Sequence, residues 1–289
     1  MQSIYFFAWT ASILFGLETV IGKLIGKHSI RNPWFFNFIW TLLTLAFIVP
    51  VALINGVALP GHWGGILLAS FFFASTSVLF IRTLFRLDVT VLSPLYSFRT
   101  AFAVLLGTIF LGEILTNSQY ILIAIIFAAG LFVSIDERLK LELFFTPAIA
   151  LALIYMLSLA LFGAFTKTAV AETNYWSATL WIVLLGQIWL LPTIYFFRKE
   201  IRVASLKQYR GVLLVAIIDV IGTLAAYKAY AQNLSIAAAI ISLPFSMLIA
   251  FLFSVFAPRL LEKHIPKVYF IRFAAAAIMI ISALYLNNK

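Results

Sequence analysis

Three ionisable side chains stand inside long apolar stretches of this sequence: Glu18 in LFGLETVIG, Arg99 in SPLYSFRTA and Asp219 in VAIIDVIGT. A guanidinium grips a carboxylate through two parallel hydrogen bonds, and an aspartate or glutamate receives an amine or a proton. Two carboxylates against one guanidinium leave a place for one more positive group, so the set suits a proton or a zwitterion such as an amino acid. The same residue types also fit a purely structural salt bridge, Arg99 with Glu18 or Asp219, that holds helices together.

The neighbours of these residues recur at helical spacing. Asp219, Gly222, Thr223, Ala226, Tyr227 and Tyr230 form one small and polar stripe, Ser93, Tyr96, Arg99 and Thr100 a second, and Asn37, Thr41 and Thr44 a third beside Trp40. Such stripes suit a wet cavity better than lipid. Pro94 and Pro244 each remove a backbone donor and free a carbonyl one turn earlier, so both are expected helix breaks. The freed backbone, with Ser93, Ser97, Ser242 and Ser246, can meet a ligand at mid-depth. Trp40, Tyr96 and Tyr227 add aromatic faces able to hold an ammonium by cation–π attraction, although core packing accounts for most aromatics here.

The elements that must position these groups follow from hydropathy. The chain has 289 residues, of which 64% are hydrophobic and 10% charged, against roughly 25% charged in ordinary soluble domains. Its mean hydropathy is +1.09. A spanning helix needs about 20 apolar residues, because the hydrocarbon is about 30 Å thick and each residue rises about 1.5 Å. That yardstick predicts about ten spans, at 4–26, 34–54, 64–86, 89–111, 118–135, 145–167, 175–197, 211–232, 235–256 and 267–286. The runs are continuously apolar rather than alternating, which excludes a barrel. The fold class expected is all-α integral membrane.

Charged groups at bilayer depth cost at least about 2.5 to 3.5 kcal/mol each, so they face a cavity or a partner. Lys228 and Arg82 lie near span ends, where long stems snorkel. Arg99 lies roughly 16 Å along its span, Asp219 roughly 12 Å and Glu18 roughly 10 Å, which puts the three in one depth band.

The net charge is +10, and the basic residues sit mainly in short loops after odd-numbered spans: Lys23, Lys27 and Arg31; Arg82 and Arg86; Arg138 and Lys140; Arg198 to Arg210; Arg259 to Lys267. The distribution explains the charge by orientation in a cell membrane, with no nucleic-acid partner, and puts both termini outside. There is no cysteine, and the three histidines are scattered in loops, so no cofactor, metal site, disulfide or cysteine nucleophile is expected. Glu113 is expected at an interface, solvated or capping the fifth span.

Weak internal repetition divides the chain at the charged segment Asp136–Glu142, into 1–141 and 142–289. Glu113 and Tyr120 match Glu262 and Tyr269 at one offset, and LFG occurs in the first and sixth spans. Five spans plus five give two inverted repeats related by an axis in the membrane plane.

With LFGLETVIGKL in the first span, SPLYSFRTAFAVLLGTIFLGEIL in the fourth and SLPFSMLIAFLFSVF in the ninth, the sequence resembles the drug/metabolite transporter superfamily, specifically its ten-helix EamA-like carriers. The resemblance covers the whole chain, and LGE after the fourth span is its sharpest motif. It implies alternating access around a central cavity, with spans five and ten peripheral. Family members usually have a basic loop after the second span, whereas NGVALPGHW has no Lys or Arg. The function expected is a secondary transporter, an exporter, of a small amphipathic or zwitterionic metabolite, with proton exchange through Glu18 or Asp219. The alternative is an organic-cation carrier. A membrane enzyme or lipid-handling scaffold would want a clustered His/Asp/Glu constellation, which the sequence does not show.

Overall fold

The structure, a computed structural model, describes residues 2–134, 146–202, 205–256 and 266–286. Within them the chain folds into helices: α1 (Gln2–His28), α2 (Pro33–Ile54), α3 (Gly64–Arg86), α4 (Val89–Ile109), α5 (Asn117–Ser134), α6 (Pro147–Glu172), α7 (Tyr175–Leu190), α8 (Leu206–Gln232), α9 (Leu234–Ile241), α10 (Phe245–Phe256) and α11 (Pro266–Tyr285). A 3-10 turn, Leu191–Phe196, extends α7. No strand occurs among the described residues. The proposed join Asp136–Glu142, and Arg259, Glu262 and Lys263, lie outside them.

Eight segments among the described residues are long and apolar enough to cross a membrane: α1 to α4, α6, α7 with its extension, α8, and α9 with α10 taken together. The cores of α5 and α11 are shorter apolar helices, and the two pack against each other. Helix starts are set by short polar residues. Asn32, followed by Pro33, accepts from Trp34 and Phe35 backbone N–H; Asn174 accepts from Ser177 and Asn233 from Ile236. A side-chain oxygen there satisfies a donor that the first turn leaves free. Asn233 is the only residue between α8 and α9, so the chain reverses there on one cap.

The two expected proline breaks have different outcomes. The ninth span is interrupted at Ser242–Pro244, between α9 and α10. Pro244 has no N–H for the Ile240 carbonyl, and Ser12 of α1 donates to that oxygen at 2.8 Å. α4, by contrast, runs through Pro94 without interruption. Pro94 lies close to the start of α4, where one missing backbone bond leaves the rest of the ladder intact, so the expected break there is corrected to a continuous helix.

α1 packs along α8, and α3 along α6; α2 touches both α7 and α8, and α7 touches α3. α4 lies against α6, while α9 and α10 lie against α1. Buried apolar residues gather in two large clusters. One, with Ile4, Ala8, Ile66, Ala169 and Ala229, lies toward the end where α1 begins. The other, with Val20, Ile25, Leu84, Val89 and Val212, lies toward the opposite end.

The approach of α1 to the broken span depends on Gly16. A Cβ there would come within 2.7 Å of the Phe245 Cβ and 2.9 Å of the Ser246 backbone nitrogen. Neither neighbour is the far end of a flexible side chain, so Gly16→Ala should cost about 1–3 kcal/mol by overpacking, read as an earlier melting transition in detergent. Gly64→Ala, where an added Cβ meets nothing within 4 Å, should leave that transition unchanged or raise it. Equal melting of the two variants would remove the close approach as a constraint.

Candidate functional site

Between the two apolar clusters lies a cavity of about 120 Å³. A water needs only about 10–15 Å³ on this measure, so several waters or a small solute fit. Glu18, Arg99, Asp219, Tyr96 and Trp40 all line it. The walls between them are apolar and aromatic, with Phe15, Phe73, Phe80 and Phe162, and Thr41, Thr76, Ser77 and Ser246 add hydroxyls. Glu18 is 5% exposed, Arg99 2% and Asp219 9%, so none of them turns toward lipid.

The three charged groups are held in different ways. Asp219 of α8 accepts from two hydroxyls, Thr44 of α2 at 2.7 Å on Oδ2 and Thr223 one turn on at 3.0 Å on Oδ1. Arg99 of α4 donates through Nη2 to the Tyr230 hydroxyl of α8, and its Cζ lies 5.5 Å from that ring's centroid. Glu18 has no such support: its Oε2 is buried without a hydrogen-bond partner among the described residues. Arg99 Nε is likewise buried without a hydrogen-bond partner among the described residues. Among the described residues no ion pair joins Arg99 to Glu18 or Asp219. The salt bridge considered from sequence is thus absent at this site, and the two signs of charge face the cavity separately.

The remaining candidates sit around the cavity rather than on its wall. Ser93 accepts from Ser246 at 2.9 Å, and Ser246 lines the cavity. Tyr227 packs edge-on against Phe162, with ring centroids 5.7 Å apart, and its hydroxyl is buried without a partner. Ser242 opens the break between α9 and α10, flanked by the lining residues Ile241 and Leu243. Pro244 follows in the same break, whereas Pro94 belongs to a continuous helix.

Tyr155 is among the deep aromatics that the sequence offers as cavity lining, but the pairings across helices escaped sequence reasoning. Tyr155 of α6 meets Tyr96 hydroxyl to hydroxyl at 3.2 Å, and Ser158 meets Thr76 of α3 at 2.9 Å. α6 carries no Asp, Glu, Lys or Arg at that depth to mark its inner face. Lys228 points its ammonium between the rings of Phe7 (5.0 Å) and Tyr175 (5.3 Å), and Arg82 lies over Trp34 at 5.6 Å. Glu113 does cap a helix, but the helix is α9, not the fifth span. Its carboxylate accepts from Leu234 and Ser235 backbone N–H and pairs with Lys167 of α6 at 2.5 Å. Burial alone would raise the Glu113 carboxyl, but Lys167 and the Ser235 and Leu234 donors outweigh it and hold it below the usual carboxylate range. Its folded-state value being depressed, its contribution to stability is present near neutral pH and is lost as acid protonates it.

The architecture has solved counterparts. Of 27 solved chains that match, one crystal structure of a protein covers all of both chains with a TM-score of 0.65 at 12% identity, a likeness of fold alone. No curated protein matches the sequence. A family match covers just under half of the chain. Residues 2–135 match the EamA-like transporter family. That family belongs to the drug/metabolite transporter superfamily, and the match, with eight segments among the described residues long and apolar enough to cross a membrane, supports a multi-pass membrane protein similar to transporters of small solutes. The EamA-like half supplies Glu18, Trp40, Tyr96 and Arg99 to the cavity, and the second half closes it with Tyr155, Phe162, Asp219 and Ser246.

Proposed function

We propose that this EamA-like protein is a secondary active exporter in the cell membrane that moves a small zwitterionic or amphipathic solute, of the size of an amino acid, by alternating access, in exchange for a proton. One observation carries the reading: one cavity presents a guanidinium and two carboxylates between aromatic walls, with Glu18 Oε2 and Arg99 Nε buried without a hydrogen-bond partner among the described residues. Buried polar atoms normally find partners, so those left over are aimed at something that comes and goes. Asp219, already receiving two hydroxyl donors, is the receiver of the solute's ammonium. Arg99 takes its carboxylate. Glu18, which no donor steadies, is the group that gains and loses the proton.

The helix arrangement supports two inverted repeats, 1–141 and 142–289. Exchanging α1, α2, α3, α4 and α5 for α6, α7, α8, α9 with α10, and α11 turns the α1·α8 contact into α6·α3, α2·α8 into α7·α3, and α4·α6 into α9 and α10 on α1. The α5·α11 contact maps onto itself, and the α4·α5 contact finds its mate in Phe251 against Phe273, 4.6 Å between centroids. Two halves related in this way rock about a fixed mid-membrane site. The basic loops put both termini outside.

The aromatic walls favour a second reading, a carrier for hydrophobic organic cations, for which one carboxylate suffices. Purified protein in proteoliposomes separates the readings. Amino acids should raise its melting temperature, and their uptake should follow an imposed pH gradient in wild type but not in Glu18→Gln. Stabilisation by quaternary amines alone favours the cation carrier. Transport indifferent to the gradient removes the proton.

A further inference from the structure

Glu113 leaves α4 in the short connection to α5, a place where a carboxylate would ordinarily meet water, yet it is 8% exposed. Its backbone N–H bonds to the Gly107 carbonyl at 2.9 Å, which turns the side chain inward. There it crosses to the other half of the protein. Lys167 of α6 and the Leu234 N–H reach Oε1, each at 2.5 Å; the Ser235 N–H and hydroxyl reach Oε2 at 2.9 and 2.6 Å. Gly107 keeps the space for this: a Cβ there would collide with the Glu113 carboxylate and the Ser235 hydroxyl at once.

What these donors belong to gives the contact its meaning. α9 is eight residues long and is bounded by a one-residue turn at Asn233 and by the break at Ser242–Pro244, so it is joined to the bundle by a hinge at either end. Its far end, through Ile241 and Leu243, forms part of the cavity wall, while its first turn is held by Glu113. α6, which supplies Lys167, carries Tyr155 and Phe162 on the same wall. All of this lies at the end of the bundle where α1 begins, inside the apolar cluster that separates the cavity from that face.

We propose that Glu113 is a clasp that holds α9 shut over the cavity on the membrane face where α1 begins, and that this contact must release for that face to open. The inference rests on the alternating-access reading above. It makes Glu113 a positioning residue, acting on the solute path only through α9.

The sequence lacks cysteine, so one introduced thiol reports without background. Ser77→Cys puts it on the cavity wall, and a membrane-impermeant maleimide is applied to right-side-out and inside-out vesicles separately. Combining it with Glu113→Gln or Gly107→Ala should speed labelling from the α1-start face about tenfold, since charge-assisted bonds are lost, and slow it from the other face. Lys167→Met and Ser235→Ala remove fewer donors and should shift labelling the same way by less, which covers the case of a misfolded Glu113→Gln. A cap with a structural role only would lower the melting temperature and leave the sidedness of labelling as in wild type, which overturns the clasp. A wild-type cavity that the reagent reaches from neither face, with or without solute, defeats the carrier reading itself.

Discussion

Asp219→Asn is expected to weaken binding of amine-bearing solutes by about thirty-fold or more and to abolish their transport. The substitution hardly changes volume, so the cavity persists, but it removes the negative charge that an ammonium would meet in a buried, mostly apolar setting. Removing one partner of a buried hydrogen-bonded charge pair costs about 2–5 kcal/mol, and about 1.4 kcal/mol is tenfold in affinity. The environment favours Asp219 over Glu18 as this partner in the proposed reading. The Thr44 and Thr223 hydroxyls both point at its oxygens, so the carboxylate is oriented before a ligand arrives. Preorganisation of this kind reduces the entropy lost on binding. Glu18→Gln should behave differently, keeping solute affinity within about threefold, well under one tenfold step of 1.4 kcal/mol, while losing its dependence on pH. Calorimetric titration of both variants decides between them: an undiminished affinity in Asp219→Asn removes that residue from the ammonium site.

Hydropathy made the helices legible because lipid dictates length and forbids unpaired backbone. The inward face was legible for the same reason: Glu18, Arg99 and Asp219 were expected to face a cavity or a partner, and all three line one cavity. Stripes of small and polar residues pointed α2, α4 and α8 inward. What sequence could not supply was the partner across a long separation. Arg99 was weighed against Glu18 and Asp219, yet it bonds Tyr230, which sequence had placed on the stripe of α8 without a role. Ser12 looked like one more small residue in α1, and only the break at Pro244 shows that it donates to the Ile240 carbonyl, beside the Leu243 N–H. The prolines make the same point. Pro94 and Pro244 read alike in sequence, but distance from the helix start decides which one breaks a span. Glu113 was expected to be solvated or to cap the fifth span because it follows α4 in a short polar loop, and its place beneath α9 depends on a glycine six residues earlier.

Arg99→Gln should divide solutes by their charge. Arg99 and Asp219 both line the cavity, and each is held by its own hydroxyl partners, Tyr230 for Arg99 and Thr44 and Thr223 for Asp219. Opposite charges that line one cavity without pairing with each other suit a molecule that carries both, with the ammonium at Asp219 and the carboxylate at Arg99. Only Nη2 of the guanidinium bonds Tyr230, and the buried Nε is left to a ligand. Losing the guanidinium should therefore reduce affinity for carboxylate-bearing solutes by about thirty-fold, with lipophilic cations left within about threefold. Arg99→Lys keeps the charge but not the two-pronged geometry, and should fall between wild type and Arg99→Gln for zwitterions. Competition binding with a matched pair, an amino acid and its amide, reads the difference directly, because the amide keeps the ammonium and lacks the carboxylate. Equal losses for both members of the pair would mean that Arg99 supports the helices through Tyr230 and does not touch the solute.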